Sequence, residues 1–245
     1  MEIIGEKPVN GRIIGHRGWP ARFPDNVLAG ILAARQVAEM VEVDVRLAGD
    51  GTLVLSHDSH LGGLAVGESA WADLAAVDLG GGHRPIDLDS ALAAVPGFPL
   101  NLEIKNYPGD PGFDPTHRVA LETAARARPI DLLSCFYWET IDAVHQRRPE
   151  IATALLVDRG GSVADAVDHA LAIGHVAVIP QFELALASEA AIGSAVDAGL
   201  IVAVWTINQV EPARELLSMG VTGLITDDPG RMREALALTE NTEQP

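Results

Sequence analysis

The chain has 245 residues, 48% of them hydrophobic, and a formal charge of −17. That is ample for one large core. So acidic a surface argues against nucleic acid, whose phosphates need clustered Lys and Arg, and against docking on anionic lipid.

The first strand predicted is "RIIGH" (12–16), followed by "NVLAGILAARQVAEM", where Val27, Ile31, Ala34 and Ala38 share a helical face. Asp25 and Asn26, after Pro24, stand where an N-cap is expected. Next comes "MVEVDVRL", a strand with Glu42 and Asp44 set among valines; Asp50-Gly51 then favours a two-residue hairpin turn returning through "LVLSH". Residues 59–98, apolar around "GGLAVG", read as an excursion above the sheet that returns through a helix at "DLDSALAAV". Further strands are expected at 99–105, 130–136, 151–157, 175–180, 200–208 and 221–226, with helices at 116–128, 138–148, 162–173, 185–198, 209–219 and 229–238.

Eight core strands, most followed by a helix, predict an α/β fold: a closed (β/α)8 TIM barrel with a small insertion after the second strand. The alternative is a doubly wound open sheet, but no G-x-G-x-x-G follows the first strand. The expected organisation is one domain over 1–245, with 59–98 inserted and 239–245 a flexible tail. Cys135, the single cysteine, excludes an internal disulfide and fits a reducing compartment. The opening "MEIIGEKPVNGRIIGHRG" carries no signal-peptide core, and no run of about 18 apolar residues exists, so a cytoplasmic location without a membrane span is expected.

Glu42 and Asp44, two apart on a strand, project from one face, where like charges out of water repel. In such a barrel the chemistry gathers at the C-terminal strand ends. Those ends carry His16-Arg17-Gly18, Glu42 and Asp44, His57-Asp58, Glu103 and Lys105, Trp205 to Asn208, and Thr226-Asp227-Asp228. Three carboxylates make a hard oxygen site for Mg²⁺, with Ca²⁺ as the alternative, and a dication removes the conflict between the acids. Arg17 and Lys105 suit a phosphate, and His16 and His57 can move protons. Each has a plainer reading: solvent-facing acids on an edge strand, a loop His-Arg pair, a lysine paired with a neighbouring acid. Trp205 reads equally as core or as substrate platform, Asp58 equally as a turn residue or an orienting acid. Asp227 and Asp228 read first as N-cap and turn, Cys135 as a small buried residue, and His60, His83, His117, His145, His169 and His175 as surface or helix residues.

The segment "GHRGWPARFPDNVLAGILAA" resembles the HRG…PENT opening of the glycerophosphodiester phosphodiesterase family. "VEVDVRLAGDGTLVLSHD" is similar to its E-x-D…HD segment, "LEIK" to its third-strand motif and "VWTIN…GVTGLITDDP" to its closing signature. The likeness runs from about residue 12 to 230, with four motifs in order. It implies a TIM barrel that hydrolyses glycerophosphodiesters to sn-glycerol 3-phosphate and an alcohol. It makes Glu42, Asp44 and Glu103 metal ligands, His16 and His57 the acid/base pair, and Arg17 and Lys105 the phosphate holders; it also sets Phe136 near the mouth. In the family's scheme the substrate's glycerol hydroxyl attacks phosphorus and water opens the cyclic phosphate, but which histidine is base stays open. The chain departs from the family where Asp25 and Val27 replace Glu and Thr of PENT. The other readings are a related, phospholipase D-like barrel enzyme acting on lysophospholipids or sphingolipids, and a phosphate-ligand binding protein without turnover.

Overall fold

Strict alternation along the strands builds the architecture. In the computed structural model, which describes residues 11–240, Met40 faces an interior cluster with Ile14, Leu132, Ala154, Leu156, Ala177, Ile179, Ala203 and Ile225. Val41, Val43 and Val45 face outward into the larger core beneath the helices. A strand covered on both sides in this way belongs to a parallel sheet wrapped by helices.

The strands are β1 (Arg12–Gly15), β2 (Met40–Leu47), β3 (Leu53–Leu55), β4 (His60–Leu61), β5 (Leu64–Ala65), β6 (Leu100–Ile104), β7 (Leu132–Cys135), β8 (Ala152–Val157), β9 (Ala177–Pro180), β10 (Ile201–Val204) and β11 (Gly223–Thr226). β1, β2, β6, β7, β8, β9, β10 and β11 pair in parallel in that order, and β11 returns to β1, so eight strands close a barrel as expected. The helices are α1 (Leu28–Ala34), α2 (Trp71–Leu74), α3 (Leu88–Ala94), α4 (Arg118–Arg126), α5 (Trp138–Arg147), α6 (Val163–Ile173), α7 (Phe182–Leu186), α8 (Glu189–Asp197), α9 (Val210–Ser218) and α10 (Pro229–Glu240).

Four expectations are corrected in detail. The turn between β2 and β3 holds three residues, not two: Gly51 donates to Ala48 O at 2.9 Å and Ala48 to Thr52 O at 2.8 Å. Gly51 takes φ +90°, the left-handed position such a loop requires. Neither Asp25 nor Asn26 caps α1; Val27 holds that position without a side-chain bond, because Asn26 is committed elsewhere. The helix predicted at 185–198 is two, α7 and α8, broken where Ser188 leaves helical geometry. The last helix runs to Glu240, into the predicted tail, whose remaining residues 241–245 lie outside the described residues.

The excursion forms the β4–β5 hairpin, α2 and α3. Its Val66 and Leu74 pack with Ala48 and Val54 against the β2–β3 hairpin. Asp87 caps α3 by accepting from Ser90 N at 2.8 Å. No helix among the described residues is long and apolar enough to cross a membrane.

Candidate active site

The barrel register brings the acids together. Glu42 pairs with Asn101 and Asp44 with Glu103 across β2 and β6. Because Met40 points inward, so do Glu42 and Asp44, and all three acids are buried. One oxygen from each of Glu42, Asp44 and Glu103 lies within 4.8 Å of the other two.

The loop after β1 supplies the next groups. An added Cβ on Gly15 would lie 2.4 Å from Gly18 O, so only glycine lets the chain fold back this sharply. Arg17 at the bend has φ 51°, a left-handed conformation costly for a long side chain. It is held there from both sides: Arg17 N donates to Glu42 Oε2 at 2.8 Å, and Arg17 O accepts from Asn26 N at 2.9 Å. The guanidinium donates to Asp25 at 2.8 Å and approaches Asp44 Oδ2 at 3.4 Å. The acid replacing the family's Glu thus holds Arg17. His16 Nδ1 lies 2.7 Å from Asp227 Oδ1, and its Nε2 is 4.0 Å from Glu42 Oε2.

Lys105, buried past the end of β6, donates to Glu103 Oε1 at 2.6 Å and sits 3.3 Å from Asp44 Oδ1. Burial opposes its charge, yet Glu103 and Asp44 raise its pKa well above the ordinary lysine value. Burial and the charges of Asp44 and Glu103 push Glu42 well above the usual carboxylate range. Burial pushes Asp44 the same way, but Lys105, Arg17, His57 and Asn26 outweigh it and hold Asp44 below its ordinary value. One face of the cluster is therefore neutralised and the other is not.

His57 reaches the site from β3. Arg46 Nε and Nη2 both donate to His57 O, at 3.0 and 2.8 Å, while Arg46 also holds Asp110 through two 2.8 Å bonds. The His57 ring meets Asp58 Oδ1 at 2.8 Å through Nδ1. Both histidines therefore engage Nδ1 with an aspartate and keep Nε2 for other work.

Phe136 and Trp205 stand past the ends of β7 and β10 and meet edge to face, ring centres 5.1 Å apart. Both are half-buried and pack on the interior cluster, with Trp205 Nε1 donating to Ile179 O at 3.1 Å. Cys135 is buried, bonded to Ile104 O, and its thiol is pushed up to about 12, chiefly by burial.

The donor set fits a hard dication on an observation of its own. Glu42 Oε1 is buried without a hydrogen-bond partner, and Asp44 Oδ1 has only the ion pair with Lys105. Buried carboxylate oxygens left in that state are costly unless a cation takes them up.

Residues 16–231 match the glycerophosphoryl diester phosphodiesterase family. The chain belongs to it. Members are phosphoric diester hydrolases, and the "Glycerophosphodiester phosphodiesterase" of Caldanaerobacter subterraneus subsp. tengcongensis is 27% identical over 89% of this chain and 94% of that protein. Among solved structures, a glycerophosphodiester phosphodiesterase from Thermotoga maritima superposes with a TM-score of 0.73 at 25% identity, over 94% of this chain and 97% of that one. An Oleispira antarctica phosphodiesterase solved with its product sn-glycerol-3-phosphate shares the fold at a TM-score of 0.81 and 24% identity, over 92% and 96% of the two chains.

Several supporting residues of this family site escaped the sequence reading. Asn26 reads in sequence as a cap, but its amide donates to Asp44 Oδ2 at 2.8 Å and its carbonyl accepts from Asp44 N at 3.0 Å. Arg46 and Asp110 had no visible signal, being 64 residues apart. Asp227 serves His16 and also accepts from Asn208 at 2.7 Å, so its supporting role outweighs the turn reading. Asp228 is the expected N-cap of α10, accepting from Arg231 N at 3.2 Å, and beyond that role it accepts from Trp19 Nε1 at 3.0 Å.

Proposed function

We propose that the chain is a metal-dependent glycerophosphodiester phosphodiesterase, releasing sn-glycerol 3-phosphate and an alcohol in the cytoplasm. The observation that carries this reading is the convergence of Glu42, Asp44 and Glu103, with two buried oxygens left for a cation, beside a histidine whose Nδ1 is anchored. The three acids would hold Mg²⁺, or Ca²⁺ in its place, which when bound supplies positive charge to the phosphoryl oxygens. Arg17 and Lys105 hold the phosphate, and Phe136 and Trp205 offer an apolar wall to the glycerol carbons. The product bound by the Oleispira antarctica protein is the one assigned to this chain.

His16 is the better base: both rings meet an aspartate through Nδ1, but Asp227 is itself held by Asn208, and only 16% of the His16 side chain is exposed, against 39% for His57. His16 Nε2 takes the proton of the glycerol hydroxyl as that oxygen bonds to phosphorus. The bond from phosphorus to the alcohol oxygen breaks, and His57 gives that oxygen a proton. Water then opens the cyclic phosphate with the two proton transfers reversed. Lipid substrates are disfavoured: among the described residues the exposed large apolar side chains are few, Leu32, Leu64, Tyr107, Leu171 and Ile173, and only Leu171 and Ile173 share an element.

The test is incubation with glycerophosphocholine, glycerophosphoethanolamine and glycerophosphoglycerol, with and without EDTA. Glycerol 3-phosphate from at least one, abolished by EDTA and restored by Mg²⁺, is expected. No product from any of them overturns the proposal, and product insensitive to EDTA overturns its metal dependence.

A further inference from the structure

A second cluster of ligating side chains lies outside the barrel wall, between α5 and α6. Asp142 comes from α5, His169 from the last turns of α6, and His175 from the turn into β9. His169 Nε2 is 3.0 Å from both oxygens of Asp142, and His175 Nε2 is 2.8 Å from Asp142 Oδ1. One donor atom from each of the three lies within 4.8 Å of the others. In sequence these histidines read as surface or helix residues, yet the His175 side chain is fully buried.

Two features make this more than a chance ion pair. His175 Nδ1 is 2.7 Å from Thr153 Oγ1, a buried hydroxyl at the start of β8. Such a partner on the far nitrogen orients an imidazole and, by accepting Nδ1–H, leaves the Nε2 lone pair free for a ligand bond. His145, one turn along α5 from Asp142, stacks edge to face on His175 at 5.4 Å, and its Nδ1 is buried with no hydrogen-bond partner. An unpartnered imidazole nitrogen beside two histidines and a carboxylate is the kind of group a cation would satisfy. The geometry of the turn serves the same end. Gly174 at φ +106° ends α6 in the left-handed conformation and sends His175 back under the helix.

We propose that Asp142, His169 and His175 form a second metal site, selective for a borderline transition cation such as Zn²⁺ rather than for Mg²⁺. Two imidazoles and one carboxylate suit Zn²⁺, whereas the all-carboxylate cluster in the barrel suits Mg²⁺ or Ca²⁺. Three protein ligands leave the fourth tetrahedral position to water. On binding, each Nε2–H that Asp142 accepts in the metal-free protein gives way to the cation; the proton passes to Nδ1, where Thr153 accepts it from His175. The site joins α5 to α6, so its occupation stabilises that flank of the barrel. It does not depend on the chemistry assigned to the barrel mouth.

The experiment titrates Zn²⁺ into tag-free, chelator-stripped protein held in excess Mg²⁺, which fills the carboxylate cluster. Wild type, His169→Ala and Asp142→Asn are compared by calorimetry, with circular dichroism to verify folding. One equivalent of Zn²⁺ should bind to the wild type and raise its Tm; either variant should bind at least about tenfold more weakly. Phosphodiester turnover in Mg²⁺ should be the same in all three. Co²⁺ added to the wild type should give the intense visible bands of a tetrahedral ion. No Zn²⁺ uptake, equal uptake by wild type and variants, or only the weak spectrum of octahedral Co²⁺ would each overturn the proposal, leaving a hydrogen-bonded cluster.

Discussion

Asp227 Oδ1 lies 2.7 Å from His16 Nδ1, a contact that joins the end of the last barrel strand to the end of the first. The other oxygen of Asp227 accepts from Asn208 Nδ2 at 2.7 Å, which fixes how an amide would sit in its place. In Asp227→Asn the new carbonyl stays toward Asn208 and the new NH2 points at His16. It then donates to Nδ1, forces the proton onto Nε2 and removes the base. The kcat should fall by about a hundredfold or more while KM changes little. Steady-state kinetics check this, and a variant with wild-type kcat would show that the contact does not set the tautomer.

The three acids and the two histidines should separate in a metal titration. Glu42→Gln and Glu103→Gln each remove a candidate ligand, so Mg²⁺ affinity should fall at least about tenfold. His57→Ala leaves every ligand in place and should keep that affinity while losing turnover. Isothermal titration against Mg²⁺, paired with product assays, measures both. Equal, mild effects across the three variants would contradict the division of roles.

The barrel was legible because its signal is local and repeated: short apolar runs alternate with amphipathic stretches, and each run leaves one strand. The candidate metal ligands on β2 were legible for the opposite reason. Glu42 and Asp44 break the apolar rule of β2, and a buried like-charged pair needs a cause. What sequence hid are the partners that make no local sense alone. Asn26 follows Pro24-Asp25 and looks like a helix cap, but its left-handed φ of 58° turns the side chain inward to Asp44. Arg46 sits on the same face as the two acids, yet its partners His57 and Asp110 come from separate loops, and only closure of the fold joins them.

That junction carries a pH prediction. The hydrogen bonds from Arg46 hold Asp110 below its ordinary value, against the opposing effect of burial. A carboxylate with a lowered folded pKa adds stability that is present above the unfolded value, about 3.9, and lost as pH falls through the folded one. Asp110→Asn should therefore cost about 2 kcal/mol at pH 7. The gap to wild type should narrow below about pH 4, where the unfolded carboxyl begins to protonate. Because Arg46 also holds His57 O, the same variant should lose turnover with Mg²⁺ affinity unchanged. Denaturant melts at several pH values give the first result and kinetics the second; a gap constant with pH would mean that the charge of Asp110 is not what stabilises the pair.

Asn26 offers the sharpest separation of backbone from side chain. It is 2% exposed, occupies the left-handed region and bonds Asp44 through both ends of its amide. Asn26→Ala loses both bonds and must hold an unfavourable φ, together costing about 3 kcal/mol. Asn26→Gly accepts the φ without strain but still leaves Asp44 N and Oδ2 without their partner. The glycine variant should thus recover part of the lost Tm yet share the weakened Mg²⁺ binding of the alanine variant, since in both Asp44 is free to turn toward Lys105. Calorimetric melts and Mg²⁺ titrations on the two variants decide it. Wild-type Mg²⁺ affinity in Asn26→Gly would mean that the amide serves the loop alone and that Asp44 is aimed by its strand.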